Sequence, residues 1–244
     1  MSEKIQIGRW TINVLYEDNH LLVVVKPANL PSQADSSGDD DLLSILKRYI
    51  GEKFNKPGAV YLGLVHRLDR PVGGVMVFAR TSKAAARLSE SFRTHEQDRH
   101  YLAVCEGEIP KETELNDYLL KDGRTGMVRS VKKDTPGAKH ARLITSPIAC
   151  RDGLTLTSVQ LFTGRSHQIR VQHAQAGHPL WGDMRYGHGA PGRQIALWAY
   201  RLTLEHPTRH DMLSFCVHPP LKGAWRSFEA EINAIEEVSP CAER

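Results

Sequence analysis

The stretch HRLDRPVGGVMVFART, residues 66–81, sets a single carboxylate, Asp69, between Arg67 and Arg70 in a turn bounded by apolar runs. A guanidinium partner keeps such an acid ionised at neutral pH, which a nucleophile or an electrostatic catalyst requires. Gly73 and Gly74 follow, and residues without a Cβ let a second backbone or a ligand come close. For the acid in isolation, a structural salt bridge at a strand end is the competing explanation. No second, paired acid lies nearby, which disfavours the two-carboxylate arrangement of glycosidases. His206, His210, Cys216 and His218 form the one metal-like cluster. Their H-x3-H spacing suits zinc only on a helix, and Pro207 and Pro219 argue for a turn beside a strand. We therefore expect ordinary surface histidines and no metal site. Cys105, Cys150, Cys216 and Cys241 are widely spaced without a C-x-x-C pair and read as free thiols.

The elements that would position Asp69 are legible around it. Leu21 to Pro27, LLVVVKP, is a continuous apolar run stopped by proline, a buried strand leading into a loop. Leu42, Leu43, Ile45, Leu46 and Tyr49 recur at helical spacing behind the acids Asp39 to Asp41, and the helix should end near Gly51. Val75, Val77 and Ala79 alternate with Met76 and Phe78 as a strand, and a helix from Ser82 carries Ala85, Leu88 and Phe92 on one stripe. HYLAVCEG and GLTLTSVQLFTG read as further strands. RSHQIRVQHAQAGHP reads as a helix through Ile169, His173 and Ala176 with Gly177 as its stop. With no regular βα repeat, no G-x-G-x-x-G and no P-loop string, the expected fold is α+β: a large mixed, mostly antiparallel sheet with flanking helices and loops.

The chain has 244 residues, 41% hydrophobic and 25% charged, enough for a sizeable core. We expect a single domain over 1–244. No apolar run approaches a membrane span, and the first ten residues lack a signal-peptide layout, so a cytoplasmic protein is expected. The net charge of +4 is unevenly spread. In the acidic end, 229–244, five glutamates face only Arg244. From Lys121 to Arg142, seven basic residues face two acids. Clustered positive charge attracts polyanions by counterion release, although a basic loop is also a common solvated surface.

Four segments in order carry a resemblance. HRLDRPVGGVMVFART resembles the catalytic motif of the RluA-type pseudouridine synthases, and LLVVVKPANLPSQAD their lysine-proline segment. RHYLAVCEG is similar to their tyrosine strand, and TGRSHQIRVQHAQAGHPLWGDMRYG to their C-terminal signature, with its Gly182, Asp183, Tyr186, Gly187 ending. The resemblance implies a cofactor-free isomerisation of uridine in RNA, in which the base leaves its ribose, turns and is rejoined through a ring carbon. Asp69 matches the catalytic aspartate, which attacks or deprotonates the nucleoside. Tyr101 matches the tyrosine that packs on the target base, and Arg170 the basic residue that pairs with the acid. Arg67 matches an arginine that enters the space left by a flipped base. Arg165, His66 and Lys26 belong to the same motifs and are expected at the RNA, and Lys132, Lys133 and Lys139 of the basic segment are expected on phosphates.

This chain departs from the family's pattern at Val72, Gly73 and Gly74, where a threonine-serine-glycine run is common, at Asn29 in place of glycine, and at Arg99 in place of lysine. None of these is a member of the acid, tyrosine and arginine set. Because the lysine-proline segment begins by Lys26, the resemblance implies a single catalytic domain over 1–244, without the separate N-terminal RNA-binding domain that many relatives carry. The expected partner is structured RNA, transfer or large-subunit ribosomal, with no membrane and no obligatory protein partner, the enzyme being a monomer. An RNA-binding protein of the same fold without catalysis and a metal-dependent hydrolase are the alternatives.

Overall fold

The computed structural model describes residues 4–236, so Cys241 and the acidic end beyond Glu236 lie outside the described residues. In chain order the elements begin with β1 (Lys4–Ile7), β2 (Trp10–Glu17), β3 (Leu21–Lys26), α1 (Leu42–Lys53), β4 (Gly63–Leu64), β5 (Gly73–Ala79) and α2 (Ser82–Thr94). There follow β6 (Asp98–Glu106), β7 (Thr113–Lys121), β8 (Val128–Val131), β9 (Lys139–Arg151), β10 (Leu154–Leu161) and α3 (Gln168–Gln175). The chain closes with β11 (Leu197–Glu205), β12 (Met212–Cys216), a 3-10 turn (Gly223–Phe228) and α4 (Glu229–Asn233). They form two compact units, one of residues 4–97 and 201–217, the other of residues 98–200 and 218–236.

In the first unit the strands run β1-β2-β3-β5, all antiparallel, and β4 adds two residues beside the end of β5. Every residue of β3 and β5 is buried, as continuous apolar runs require. Their register pairs Leu21 with Ala79, Val23 with Val77 and Val25 with Val75. One face of this ladder packs on Leu88 and Phe92 of α2 and on Leu202, Leu204, Leu213 and Phe215 of the β11–β12 hairpin. Asp41 caps α1, its side chain accepting from the Ser44 amide at 3.0 Å, and the helix runs two residues past Gly51. Thr81 caps α2 in the same way.

In the second unit the order is β6-β10-β9-β7-β8, again antiparallel throughout. The basic segment, read from sequence as a loop, supplies β8, the end of β7 and the start of β9. Pro147 sits within β9 where its register against β10 shifts by one residue; a proline cannot donate to a ladder and is tolerated at such a bulge. α3 begins only at Gln168, because His167 takes a left-handed conformation (φ 53°), and it packs Val171 on Leu119, Val128 and Ala141. In the acidic end, Glu231 has a structural duty: its carboxylate takes the guanidinium of Arg151, which also donates to the Ser227 carbonyl at 2.8 Å.

The fold is α+β with antiparallel pairing, as expected. Cys105, which is buried, and Cys150, which is exposed, are free thiols. Among the described residues no helix is long and apolar enough to cross a membrane, and no three His, Cys, Asp or Glu side chains converge as metal ligands. Within the histidine cluster one residue departs from the expected surface position. His206 is fully buried rather than on the surface, its Nε2 2.9 Å from an Asp18 carboxylate oxygen, while its Nδ1 accepts from the amides of Thr208 and Arg209 and so shapes the β11–β12 turn.

Candidate active site

Asp69 lies between β4 and β5, in a turn closed by the Val72 amide donating to the Asp69 carbonyl at 3.0 Å. The peptide groups on both sides of it are held by the segment after β3. Ser32 brackets Leu68, its hydroxyl donating to the Leu68 carbonyl at 2.8 Å and accepting from the Leu68 amide at 3.3 Å. The carbonyl of Arg70 accepts from the Asn29 amide at 2.8 Å and from Lys26 Nζ at 3.1 Å. Asn29 adopts φ 68°, a left-handed conformation that asparagine tolerates well, which rationalises this chain's departure from glycine there. Gly74, in register with Lys26, has φ 127°, where a side chain would be strained.

Lys26 is therefore not at an RNA surface. It is fully buried, and its ammonium donates to the carbonyls of Leu30 (2.6 Å), Pro27 (3.0 Å) and Arg70 (3.1 Å). Burial pushes its pKa down from 10.5 to about 7; the charge of Asp69 opposes that shift and Arg70 adds to it. Arg70 was expected to hold the acid, yet its guanidinium turns to Asp39, with Ser37 Oγ at 3.1 Å and Asp35 at 3.7 Å. His66 also serves the fold. Its Nε2 accepts from the Val77 amide at 3.0 Å and its ring stacks on Phe92, centroids 4.5 Å apart and planes 11° from parallel. Arg67 is exposed.

The other expected site residues belong to the second unit. Tyr101 lies on β6, paired with Val159 of β10, and is 9% exposed. Neither Arg170 nor Arg165 lies on an exposed helix face. Arg170 is buried in α3 and forks onto Asp183, Nε at 2.8 Å and Nη2 at 2.7 Å from its two oxygens. Burial pushes the Asp183 carboxyl upward, but the Arg170 fork and the amides of Arg185 and Tyr186 outweigh it and hold its pKa below the ordinary carboxylate range. The Arg170 guanidinium lies 5.2 Å from the centre of the Tyr186 ring, whose hydroxyl accepts from the Val128 amide at 2.9 Å and sits 2.7 Å from His167 Nδ1.

Arg165 precedes α3. Its amide donates to Gln168 Oε1 at 3.0 Å and its Nε to the His140 carbonyl at 2.8 Å. Lys139 starts β9 beside it, while Lys132 and Lys133 are exposed at a turn in which the Thr135 amide returns to the Lys132 carbonyl. Asp183, Tyr186 and Gln168 were given no role from sequence. Their signal was their place inside the C-terminal signature, which marks membership without showing which neighbour each side chain reaches.

A family model described as RNA pseudouridylate synthase matches residues 20–175. The chain belongs to this family. It is 30% identical over 243 residues to an uncharacterized RNA pseudouridine synthase of Aquifex aeolicus, covering 94% of this chain and 74% of that protein. It is 30% identical over 226 residues to ribosomal large subunit pseudouridine synthase D of Zymomonas mobilis, covering 91% and 69%. Such relatives place it with the RluA type, as its motifs implied. Human RNA pseudouridylate synthase domain containing 4 shares the fold, with a TM-score of 0.71 at 22% identity over 85% of this chain and 88% of that one. The activity is that of an isomerase acting on uridine in RNA.

Two outcomes follow for the residues that brace this pseudouridine synthase. Between pH 7 and 10.5 the unfolded chain holds a proton on Lys26 that the folded chain has lost. Native stability should therefore rise with pH through that window, by up to about 1.4 kcal/mol per pH unit, relative to Lys26→Met. Urea denaturation of both proteins across the window measures this; a difference that stays flat means the ammonium remains charged in the folded protein. Asp183→Asn leaves the Arg170 charge buried without its carboxylate and should cost on the order of 3–5 kcal/mol, read from the same denaturation curves.

Proposed function

We propose that this enzyme isomerises specific uridines of structured RNA, with Asp69 as its catalytic acid, Tyr101 as the residue that packs on the target base and Arg170 as the cation serving the acid. The observation that carries the proposal is the bracing of Asp69. The peptides before and after it are fixed by Ser32, Asn29 and buried Lys26, while its own side chain remains part-exposed on the turn. A residue held for packing alone does not require its backbone fixed from both sides; a group that must meet a ribose carbon in one orientation does. The reaction replaces the bond between ring nitrogen and ribose with one between ring carbon and ribose. The carbon's proton leaves and the nitrogen regains one, so no redox partner is needed.

A uridine stacked in RNA must be extruded before its glycosidic bond can be reached. Arg67, exposed two residues before Asp69, is the side chain we assign to the vacated stack. Arg165, Lys132, Lys133 and Lys139 are assigned to phosphates. Large-subunit ribosomal RNA is the favoured substrate, on the strength of the relatives named ribosomal large subunit pseudouridine synthase D; transfer RNA is the second reading, and mapping pseudouridines in total RNA from cells with and without the gene decides between them.

Asp69→Asn, a change of little volume at a turn, should fold and bind RNA as the parent does and lose pseudouridine formation by roughly a thousandfold or more. Turnover near the parent rate would remove Asp69 from the chemistry. Prolonged chelation should leave turnover of the parent enzyme intact. Loss of activity restored by zinc or magnesium, with the RNA shown to stay folded, would move the reading to the metal-dependent hydrolase.

A further inference from the structure

The second unit contains a cavity of about 300 Å³ that has no part in the assignments of Asp69, Tyr101 or Arg170. The strand register builds it. Lys139 of β9 stands opposite Leu119 of β7, and Lys121, two residues further along β7, stands opposite Val128 of β8. Paired residues, and residues two apart on one strand, share a sheet face. Leu119, Lys121, Val128 and Lys139 therefore line one patch of sheet, and Arg165 and Ser166 close it from the segment before α3.

Three cations thus surround an apolar floor, and the acids of the same elements are engaged elsewhere. Glu114 takes the fork of Arg142, Asp117 accepts from Gln172 at 2.7 Å, and Asp122 accepts from the amides of Arg124 and Thr125 at its turn. Neither Lys121 nor Lys139 has an acid partner among the described residues. Arg165 is preset by its bonds to Gln168 and the His140 carbonyl, so little side-chain freedom is lost when an anion arrives. Gly137 and Gly164 complete the wall, where the absence of side chains leaves backbone open to a ligand. At Gly164 a Cβ would come within 2.9 Å of Arg99 Nη1, and Gly137 holds φ 80°.

We propose that this cavity is an anchoring subsite for one sugar–phosphate unit of the RNA strand, at a nucleotide other than the target uridine. The phosphate meets Lys121, Lys139 and Arg165, and the ribose lies against the open backbone at Gly137 and Gly164. This rests on the reading of the protein as an RNA pseudouridine synthase, and adds to it a place where the strand is held at a distance from the reacting base. Tyr186 links the two functions structurally, since its hydroxyl bonds the Val128 amide of the cavity wall while Arg170 stacks on its ring.

The test uses the full chain and a fluorescent decauridylate, with binding followed by anisotropy across a salt series. Each lost single-strand phosphate contact removes about 0.7 from the slope of log affinity against log salt. Lys121→Gln with Lys139→Gln should therefore flatten the slope by about 1.4 and weaken binding on the order of tenfold to thirtyfold near 0.1 M salt. Lys121→Arg with Lys139→Arg, which keeps the charge, should restore both. Poly-glutamate at matched ionic strength should not displace the oligonucleotide. An unchanged slope in a double-Gln variant that melts like the parent overturns the proposal, as does displacement by poly-glutamate. Pseudouridine formation by the parent enzyme on transcribed large-subunit and transfer RNA is measured alongside. Activity with an unchanged slope rejects the cavity and keeps the synthase; absence of activity on both RNAs rejects the reading on which the cavity proposal rests.

Discussion

The first unit is organised around one buried ammonium. Taking a lysine out of water costs several kcal/mol unless its donors are satisfied, and Lys26 satisfies its donors entirely with main-chain carbonyls, those of Pro27, Leu30 and Arg70. The last of these lies 44 residues away in sequence. That single bond, with the Asn29 amide on the same oxygen, fastens the turn bearing Asp69 to the end of β3. The placement depends in turn on β3 being buried on both faces, because a lysine closing a solvated strand would leave its carbonyl partners for water. A backbone cage has a further consequence. Carbonyl oxygens carry no net charge, so as long as Lys26 is protonated its charge is not neutralised and its field reaches Asp69.

The second unit uses the complementary device. There the buried cation is Arg170, and its partner Asp183 is an ion held in turn by the backbone amides of Arg185 and Tyr186. A guanidinium gripped at Nε and Nη2 keeps a fixed plane, which a lysine at the same position would not. Tyr186 adds a face to that plane and ties it to β8, while Gln168 ties the start of α3 to Thr163 and to the Arg142 carbonyl. In both units a charge needed at one point is immobilised by main chain drawn from elements distant in sequence.

That distance explains what could be read from the sequence. β3, β5, α1 and α2 were legible because each is decided locally, by continuous burial or by a helical stripe behind Asp41 or Thr81. The strands from Thr113 to Arg151 were not. They mix a few buried positions with many half-buried and exposed ones, carry much of the basic charge, and include Pro147. Their composition is that of a solvated loop, and only mutual pairing makes them a sheet. Among site residues the motifs nominated side chains without saying where they point. Arg70 adjoins Asp69 in sequence and turns away to Asp39; Lys26 and His66, expected at the RNA, are spent on the turn and on Val77. The clue for Lys26 was available, since a lysine ending a wholly apolar run ahead of proline has little water to reach.

The same accounting bears on how this enzyme meets RNA. With 32 lysines and arginines the chain looks amply supplied with cations. Many of the arginines are occupied: Arg70 by Asp39, Arg93 by Glu90, Arg142 by Glu114, Arg151 by Glu231, and Arg209 by Asp211. Exposed pairs of this kind add little to stability, but each removes a positive charge from the field that a polyanion meets. The basic segment is reduced by the same reasoning, for Arg142 is committed there and Asp122 offsets another charge. What remains is mostly lysine, whose compact ammonium on a flexible stem suits phosphates without reading bases. In the function proposed above, such charge attracts and holds an RNA strand, while the choice of uridine falls to the shape of the RNA and to exposed arginines such as Arg67, which has no ion pair among the described residues.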